Sequence, residues 1–487
     1  MKRSELLISL GCNAKRWPEC EITGITEDSR RVRPGTVFVA APGERADGHE
    51  FAAQAVAAGA VAVLGARNGL DEICGAPYCR VEHPRRTLGL IAHALVGNPS
   101  KSMTVIGITG TNGKSSSVIL ARHVLEASGH KAAAFGTLGY SFAEETLPAA
   151  HTTLFGEDLA DMFARARRAG VTHVVMEASS HALDQERVSG IDFDVGVFTN
   201  LSQDHLDYHR DMDDYRRAKL KLFERIEGPG KFTVVNCEDP AAPDFIEASK
   251  VPCYTFGAGG DCYADNIHTP KSRTRFLVVS PWGSARIETR LLGYHNVLNV
   301  LGVMAVCGAV GLPLDQVAKA VGTLDSIPGR FEHIDVGQGF QVIVDYAHTE
   351  EGLRNVLRTA RDVCEGRLIL VFGCGGDRDK TKRPKMAAAA AELADFSIIT
   401  SDNPRTEDPE RIILDIEVGI QHAGAKKNDD YVAILDRAQA IRHAIELAAP
   451  GDLVMIAGKG HEDYQILGTT RVHFDDREVA TQILKGG

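Results

Sequence analysis

The sequence predicts an α/β protein built from three successive blocks. Its 487 residues suit roughly three domains of ~100–200 residues each. Apolar runs of strand length alternate with helical stretches, most clearly in the last third. Turn-forming residues punctuate the chain at Val96–Ser102 and Leu324–His333. The expected boundaries are therefore 1–99, 100–326 and 327–487.

In the first block, "TVFVAAPG" reads as a strand ending in a Pro-Gly turn, and "FAAQAVAAGAVAVLG" as a helix, a glycine stop and a buried strand. The second block opens with "SMTVIGITGTNGKSS", an apolar strand running into a glycine turn and the helical pattern "SSVILARHVLEASG". "THVVMEAS" and "DVGVFTNLS" are further strands. In the third block, "FQVIVDYA", "RLILVFGCG", "FSIIT", "YVAIL" and "DLVMIAG" alternate with helical stretches. That pattern implies a mostly parallel sheet covered by helices, with ligands at the carboxyl ends of its strands. Those ends carry Asp345–His348, Gly373–Arg378, Asp402–Arg405 and Gly458–Glu462.

Composition narrows the function. A hydrophobic share of 44% and a charged share of 24% are ordinary for a globular protein. A net charge of −11 without a basic stripe argues against nucleic acid. No stretch approaches ~18 apolar residues, so no membrane insertion is expected. The apolar run at the start is too short for a signal peptide, and a cytoplasmic protein is expected. Ten scattered cysteines without a CxxC pair read as reduced thiols.

"GITGTNGKS", Gly107–Ser115, has the chemistry of a phosphate cradle. Backbone amides at a turn and helix start point at an anion, lysine reaches the β- and γ-phosphates, and serine serves Mg²⁺. The strict G-x-x-x-x-G-K-[ST] spacing fails, because Ile108 stands where the first glycine belongs. Glu177 and His205 each follow a strand, and one carboxylate with phosphate oxygens suits Mg²⁺. His205 and His209 have the spacing of a zinc pair, but no Cys/His set completes it. Lys219 reads as a solvated helix lysine. "GHEDYQ" fails the HExxH pattern at Gln465, and "GCGGDR" fails the dinucleotide fingerprint at Arg378.

Taken in order, "EDSR" (27–30), "ADGHEF" (46–51), "GITGTNGKSS", "HTT" (151–153), "MEASSHALDQERV", "TNLSQDHLDYH", "AKLKLF", "LLGYHNVLN" (291–299), "IPGRFE", "VDYAHT", "GCGGDRDKTKRP", "SDNPR" and "AGKGHEDYQ" resemble the Mur ligases over essentially the whole chain. The resemblance implies a uridine-binding N-terminal domain, a central P-loop ATPase domain and a Rossmann-like C-terminal domain. It implies ATP-dependent amide synthesis in peptidoglycan precursor biosynthesis by a cytoplasmic monomer. The acceptor carboxylate takes the γ-phosphoryl group, and the amine of the incoming amino acid displaces phosphate from the acyl phosphate. The implied substrates are UDP-N-acetylmuramoyl-L-Ala-D-Glu and meso-diaminopimelate.

Residue by residue, the resemblance places Gly110, Thr111, Asn112, Gly113, Lys114, Ser115 and Ser116 on the ATP phosphates. Asn296 and Asn299 fall near adenine, Arg330 near the phosphates and Asp345 near the ribose. Ser29, Thr152, Thr153, Ser179, Gln185 and Arg187 match the muramyl-dipeptide contacts. Ser115, Glu177 and His205 match metal positions for two Mg²⁺ ions. Lys219 matches the lysine that the family carbamylates with CO₂, which reverses its bland reading. Catalysis would fall to Lys114, Lys219 and His205. His348 falls in the same region without a role. Glu350 stands where the family commonly has proline, a harmless change at a helix start. Glu44 stands where a histidine is common, which leaves the uracil contact open.

"SDNPR" carries the amino-acid specificity. The far end of meso-diaminopimelate presents an ammonium beside a carboxylate. Arg405 can take that carboxylate through two parallel bonds, with Asn403 beside it and Pro404 fixing the backbone. Asp402 and Glu462 suit the ammonium, Arg378 is a second partner for a carboxylate, and Gly458 completes the set. Lysine-adding relatives lack this signature. Two other readings stay open: a folylpolyglutamate synthetase-like ligase, disfavoured by the first block, and a P-loop switch without transferase chemistry.

Overall fold

The computed structural model describes residues 1–43, 46–149, 151–269 and 272–486. Glu44, and with it the question of the uracil contact, lies outside the described residues. The chain divides into two compact units: Met1–Thr109, His130–Gly196 and Lys221–Phe232 in the first, and Gly110–Gly129, Val197–Leu220 and Thr233–Gly487 in the second.

The first unit begins with a five-stranded sheet in the order Gly24–Thr26, Thr36–Ala40, Ala62–Gly65, Ala76–Arg80, Glu72–Ile73. The first four strands are parallel and the last antiparallel. Alternate residues serve opposite faces. Val37, Val39 and Leu64 pack with Leu88 and Ile91 of the helix Pro84–Leu95. Phe38 and Val63 pack with Ala52 and Ala55 of the helix Ala52–Ala57. That helix stops at Gly59, whose φ of +106° is a conformation glycine adopts without strain.

The Cys12 and Cys79 sulfurs adjoin in the first sheet's core, with Cα atoms 6.0 Å apart. The two cysteines lie 67 residues apart, and only the packing of the first sheet's core brings them together.

The same unit holds Thr104–Thr109, His173–Glu177 and Ala132–Gly136 as parallel strands, with His173–Glu177 in the middle. Gly139–Phe142 and Glu145–Leu147 extend them antiparallel. His93, on the helix Pro84–Leu95, is fully buried, has no hydrogen-bond partner for either ring nitrogen among the described residues, and stands edge-on to Phe163. Burial lowers its pKa to about 4.

The folded chain therefore keeps this imidazole neutral while the unfolded chain titrates near 6.5. Its contribution is intact above pH 6.5 and is lost as pH falls from 6.5 towards 4, by about 3 kcal/mol in all. Denaturant melts across that window should show a shallower pH slope for His93→Leu than for the parent. Identical slopes would refute the assignment.

The second unit contains the helices Lys114–Ala127, Tyr294–Ala309 and Leu314–Thr323, and an antiparallel ribbon of Tyr263–His268, Thr274–Ser280 and Gly283–Thr289. Its largest sheet runs Glu332–His333, Gln341–Asp345, Leu453–Ala457, Leu368–Phe372, Phe396–Ile399, Tyr431–Ala433. All neighbours are parallel except the first pair. Ile343, Leu370, Phe372 and Met455 face the helices Glu350–Val363, Lys382–Leu393 and Pro409–His422. Val344, Val371, Ile398 and Ile456 face Arg437–Leu447 and Asp476–Leu484.

The last strand in sequence, Leu453–Ala457, inserts between Gln341–Asp345 and Leu368–Phe372. Such a switch in strand order opens a crevice at the carboxyl ends. Asp345, Gly458, Gly373 and Asp402 follow one another along that edge, as the alternation predicts. Glu350 opens its helix under a Thr349 cap and pairs with Arg354 at 3.0 Å. "GHEDYQ" runs from a turn into the strand Tyr464–Leu467, so the metalloprotease helix is absent.

Candidate active site

The glycine loop leaves the strand Thr104–Thr109 and enters the helix Lys114–Ala127. Gly110 has φ +147°, and a Cβ there would lie 1.9 Å from Thr199 Oγ1. Gly113 has φ +83°, and its Cβ would lie 2.5 Å from Asn299 Oδ1. Both positions demand glycine, for conformation and for space. Lys114 Nζ folds over the loop and donates to the carbonyls of Gly110 and Thr111 at 2.9 and 2.7 Å. Thr111 and Asn112 are held by Asn200, through bonds of 2.8 Å each. Ser115 and Ser116 are buried in the first helical turn, and Arg330 Nη2 donates to Ser115 Oγ at 3.2 Å.

Arg330 lies over the Tyr346 ring, 4.5 Å from its centroid, and its buried Nε has no hydrogen-bond partner among the described residues. Arg330, Asn296, Phe331 and His333 line a cavity of about 840 Å³, which is within the range of nucleotide-sized sites. Asn299 instead braces the loop: its amide meets Asn296 Oδ1 at 3.0 Å and Ser117 Oγ at 3.3 Å. Asp345 is buried and accepts from the amides of Phe331 and Ala347, both at 2.7 Å. Burial raises its pKa despite Arg330 and these amides. Its carboxylate thus anchors the segment carrying Arg330, a role the sequence did not disclose.

Lys219 is buried in the helix Met212–Glu224. Its Nζ donates to Gly110 O at 2.7 Å and lies 4.3 Å from the Tyr215 ring centroid. Among the described residues no carboxylate comes within 4.0 Å of it. Burial, then the Lys114 charge, holds its pKa well below the usual lysine value. The composition-based reading as a solvated lysine is corrected, because the helix turns this position inward.

His205 has φ +56°, and its Nε2 lies 3.5 Å from Asp204 Oδ2. His348 Nε2 and Lys382 Nζ also approach Asp204, at 3.6 and 3.5 Å. Burial disfavours the Asp204 anion, but His205 and Lys382 outweigh it and lower its pKa. His209 is buried against Tyr215. No group of three His, Cys, Asp or Glu side chains converges on a point among the described residues. Mg²⁺, which takes one or two protein oxygens with water and phosphate, needs no such group.

In the first unit, Glu177 ends its strand buried, accepting from Thr137 N at 2.7 Å and Thr137 Oγ1 at 3.2 Å. Thr137 Oγ1 also meets Thr152 Oγ1 at 3.1 Å. Thr153 Oγ1 reaches Glu177 O at 2.9 Å and Ser179 Oγ at 3.2 Å. Arg187 donates to Thr153 O at 3.1 Å and, through two nitrogens, to Gln185 Oε1 at 2.9 and 2.6 Å. Five of the six residues expected for the muramyl substrate thus form one network. Ser29 lies elsewhere, in the single-turn helix Ser29–Arg31.

At the strand ends of the largest sheet, Arg405 has φ +51°. Its Nη1 donates to Gly376 O at 2.8 Å and weakly to Asn403 O at 3.4 Å. Among the described residues no carboxylate lies within 4.0 Å of this half-buried guanidinium. Burial and the neighbouring Arg378 lower its pKa. Arg378 approaches Asp207 at 3.8 Å. A Cβ on Gly376 would lie 1.9 Å from Pro404 O, and one on Gly458 2.6 Å from Asp402 Oδ2. Both glycines therefore let the loops close on one another.

Asn403 Nδ2 donates to Glu462 Oε2 at 2.9 Å and its Oδ1 accepts from Ile466 N at 3.0 Å. Sequence reasoning passed over Lys459 and Gln465. Lys459 is fully buried with Nζ 3.1 Å from Glu462 Oε2, and Gln465 Nε2 holds Asp402 O at 2.6 Å. Both lie in the quoted "AGKGHEDYQ", and a lysine three residues before an acid at a strand end was the available signal.

An amide-lined loop with a nucleotide-sized cavity, and a charged pocket at the strand ends of a parallel sheet, define an ATP-dependent ligase of α/β architecture. Three family models match the chain: "Mur ligase family, catalytic domain" over residues 21–95, "Mur ligase middle domain" over 108–307 and "Mur ligase, glutamate ligase domain" over 329–460. A UDP-N-acetylmuramoyl-L-alanyl-D-glutamate–2,6-diaminopimelate ligase of Syntrophomonas wolfei subsp. wolfei is 43% identical, covering 100% of this chain and 99% of its own. A solved structure with that same description is 33% identical, with a TM-score of 0.67, covering 95% of this chain and 94% of its own. A folylpolyglutamate synthase of Mycobacterium tuberculosis, solved with ADP and AMPPCP, shares the fold at 20% identity and a TM-score of 0.65, over 77% of this chain and 92% of its own. The chain belongs to the Mur ligase family.

Proposed function

We propose that the protein joins meso-diaminopimelate to the D-glutamyl γ-carboxylate of UDP-N-acetylmuramoyl-L-Ala-D-Glu at the expense of ATP. The observation that carries this reading is the half-buried Arg405 guanidinium, which has no carboxylate within 4.0 Å among the described residues. A buried cation without its counter-ion is costly unless a ligand supplies one. The far carboxylate of meso-diaminopimelate does so, and Asp402 and Glu462 take the adjacent ammonium. The full-length likeness to ligases of that description supports the same substrate.

The glycine loop amides, Lys114 and Arg330 bind and orient the triphosphate, with adenine in the cavity beside Asn296. These donors offset the charge that develops as the acceptor carboxylate takes the γ-phosphoryl group. The amine then attacks the acyl carbon of the resulting acyl phosphate, the amide C–N bond forms with loss of a proton, and inorganic phosphate leaves. Thr152, Thr153, Ser179, Gln185 and Arg187 hold the muramyl dipeptide, and Ser29 its nucleotide end. Ser115, Glu177 and His205 would hold Mg²⁺, which supplies charge neutralisation between carboxylate and phosphate.

The buried Lys219 amine fits carbamylation. An unprotonated amine adds CO₂ and releases one proton, turning a cation into an anion suited to a second metal ion. The same reading has domains 1–99, 100–326 and 327–487, and a sheet within residues 24–80 and another within 332–457 support it. No helix of the described residues is long and apolar enough to cross a membrane, and the proposed protein works as a cytoplasmic monomer.

Phosphate release tests the reaction. It should require both UDP-N-acetylmuramoyl-L-Ala-D-Glu and meso-diaminopimelate. Hydrolysis of ATP without them would identify a switch, and turnover with a folate and glutamate would identify a folate ligase.

A further inference from the structure

The amino-acid pocket contains a cation that neither the reaction nor the ligand contacts above account for. Lys459 follows the strand Leu453–Ala457 and has no exposed surface. Its ammonium lies 3.1 Å from Glu462 Oε2 and 3.4 Å from Asn403 Oδ1. The Tyr464 ring closes over it, 5.3 Å to the centroid. Asn403 Nδ2 donates to the same Glu462 oxygen. The second Glu462 oxygen meets only the longer 3.4 Å contact from Tyr464 OH among the described residues. Lys459 and Asn403 thus grip one oxygen of Glu462 and leave the other with that single weaker contact.

Counting charges gives these contacts a consequence. Two carboxylates, Asp402 and Glu462, and two cations, Lys459 and Arg405, belong to the pocket. The nearby Arg437 is closed off by Asp476 in a fully buried pair at 2.7 Å. Arg378 turns to Asp207, and His348 to Asp204. Burial opposes ionisation of Asp402, but Lys459, then Arg437 and Arg405, keep its carboxyl below the ordinary range. With Lys459 charged, the pocket set is neutral and matches a far end bearing one ammonium and one carboxylate. Without that charge the set becomes net negative and matches an ammonium alone.

We propose that Lys459 is a specificity-determining positioning residue: by orienting Glu462 and offsetting one pocket carboxylate, it selects an amino acid whose far end is zwitterionic over one whose far end is only cationic. The inference rests on the proposed ligase reading and deepens it. Arg405 acts by direct contact with the carboxylate, whereas Lys459 acts through the charge balance and the set of Glu462.

The test is kcat/KM for meso-diaminopimelate and for L-lysine in the parent, Lys459→Met and Lys459→Arg. Methionine keeps the volume and apolar stem but removes the charge. The expected result is a fall of about 100-fold with meso-diaminopimelate, a much smaller fall with lysine, and KM values for ATP and the UDP-substrate within about twofold of the parent. Lys459→Arg should recover part of the preference. An equal loss with both amino acids would reduce Lys459 to a structural lysine and overturn the proposal.

Should Lys459→Met not fold, Lys459→Gln decides the matter: it keeps a donor towards Glu462 but removes the charge, should likewise penalise meso-diaminopimelate more than lysine, and an unchanged ratio overturns the proposal. A parent enzyme that turns over neither amino acid overturns the ligase reading itself. That result is distinct from a parent that discriminates beside variants that keep its ratio.

Discussion

Arg405→Ala is expected to lower kcat/KM for meso-diaminopimelate by roughly 10⁴-fold while raising the slow turnover of lysine. The guanidinium is half buried, no carboxylate lies within 4.0 Å of it among the described residues, and burial with the adjacent Arg378 already lowers its pKa. A substrate carboxylate relieves that situation through paired, charge-assisted bonds. Lysine has no such group, so its binding leaves the cation uncompensated.

Removing the side chain withdraws the reward from one substrate and the penalty from the other. Stability should change little, because the guanidinium makes only carbonyl contacts within the fold. Arg405→Lys should recover little, since an ammonium cannot make the two parallel bonds. Competition between labelled meso-diaminopimelate and lysine checks this. An unaltered preference in Arg405→Ala would remove the substrate assignment.

Lys219→Ala is expected to reduce turnover by roughly 100- to 1,000-fold, the scale of losing several kcal/mol of charge stabilisation near the phosphates. Acetate or formate should restore part of it by placing a carboxylate in the space vacated. The physical basis is the burial of Lys219 beside Gly110 O and the Tyr215 ring, which with the Lys114 charge favours the neutral amine. A second readout does not depend on activity: the parent, but not the variant, should take up ¹³C-labelled CO₂ and show a carbamate carbonyl resonance. Full activity in Lys219→Ala, or no label in the parent, would take the carbamate out of the mechanism.

Much of the fold is written locally. Strands in the third block read clearly because residues such as Ile343 and Val344 alternate between two apolar layers, so both faces must be apolar and the run is continuous. The glycine loop was legible because Gly110 and Gly113 occupy conformations that other residues avoid. Arg405 stands out in the sequence beside Asn403 and Pro404, and the structure places it after the strand Phe396–Ile399.

Other features had no local signature. Lys219 looks like any helix lysine until its helix turns it against Gly110. Lys459 and Glu462 share one turn, but Asn403, 56 positions earlier than Lys459 in sequence, joins them only across the strand ends of the folded sheet. The approach of Cys12 to Cys79 arises in the same way from a distant pairing.

The sequence by itself determined the α/β layering, the phosphate loop and the chemistry of the amino-acid signature, because turn conformation and strand burial depend on near neighbours. The tertiary structure alone decided which charges are buried and which of them meet. Strand order at the switch point brings Asp345, Gly458, Gly373 and Asp402 to one edge, and the balance of charge there depends on contacts among residues remote along the chain.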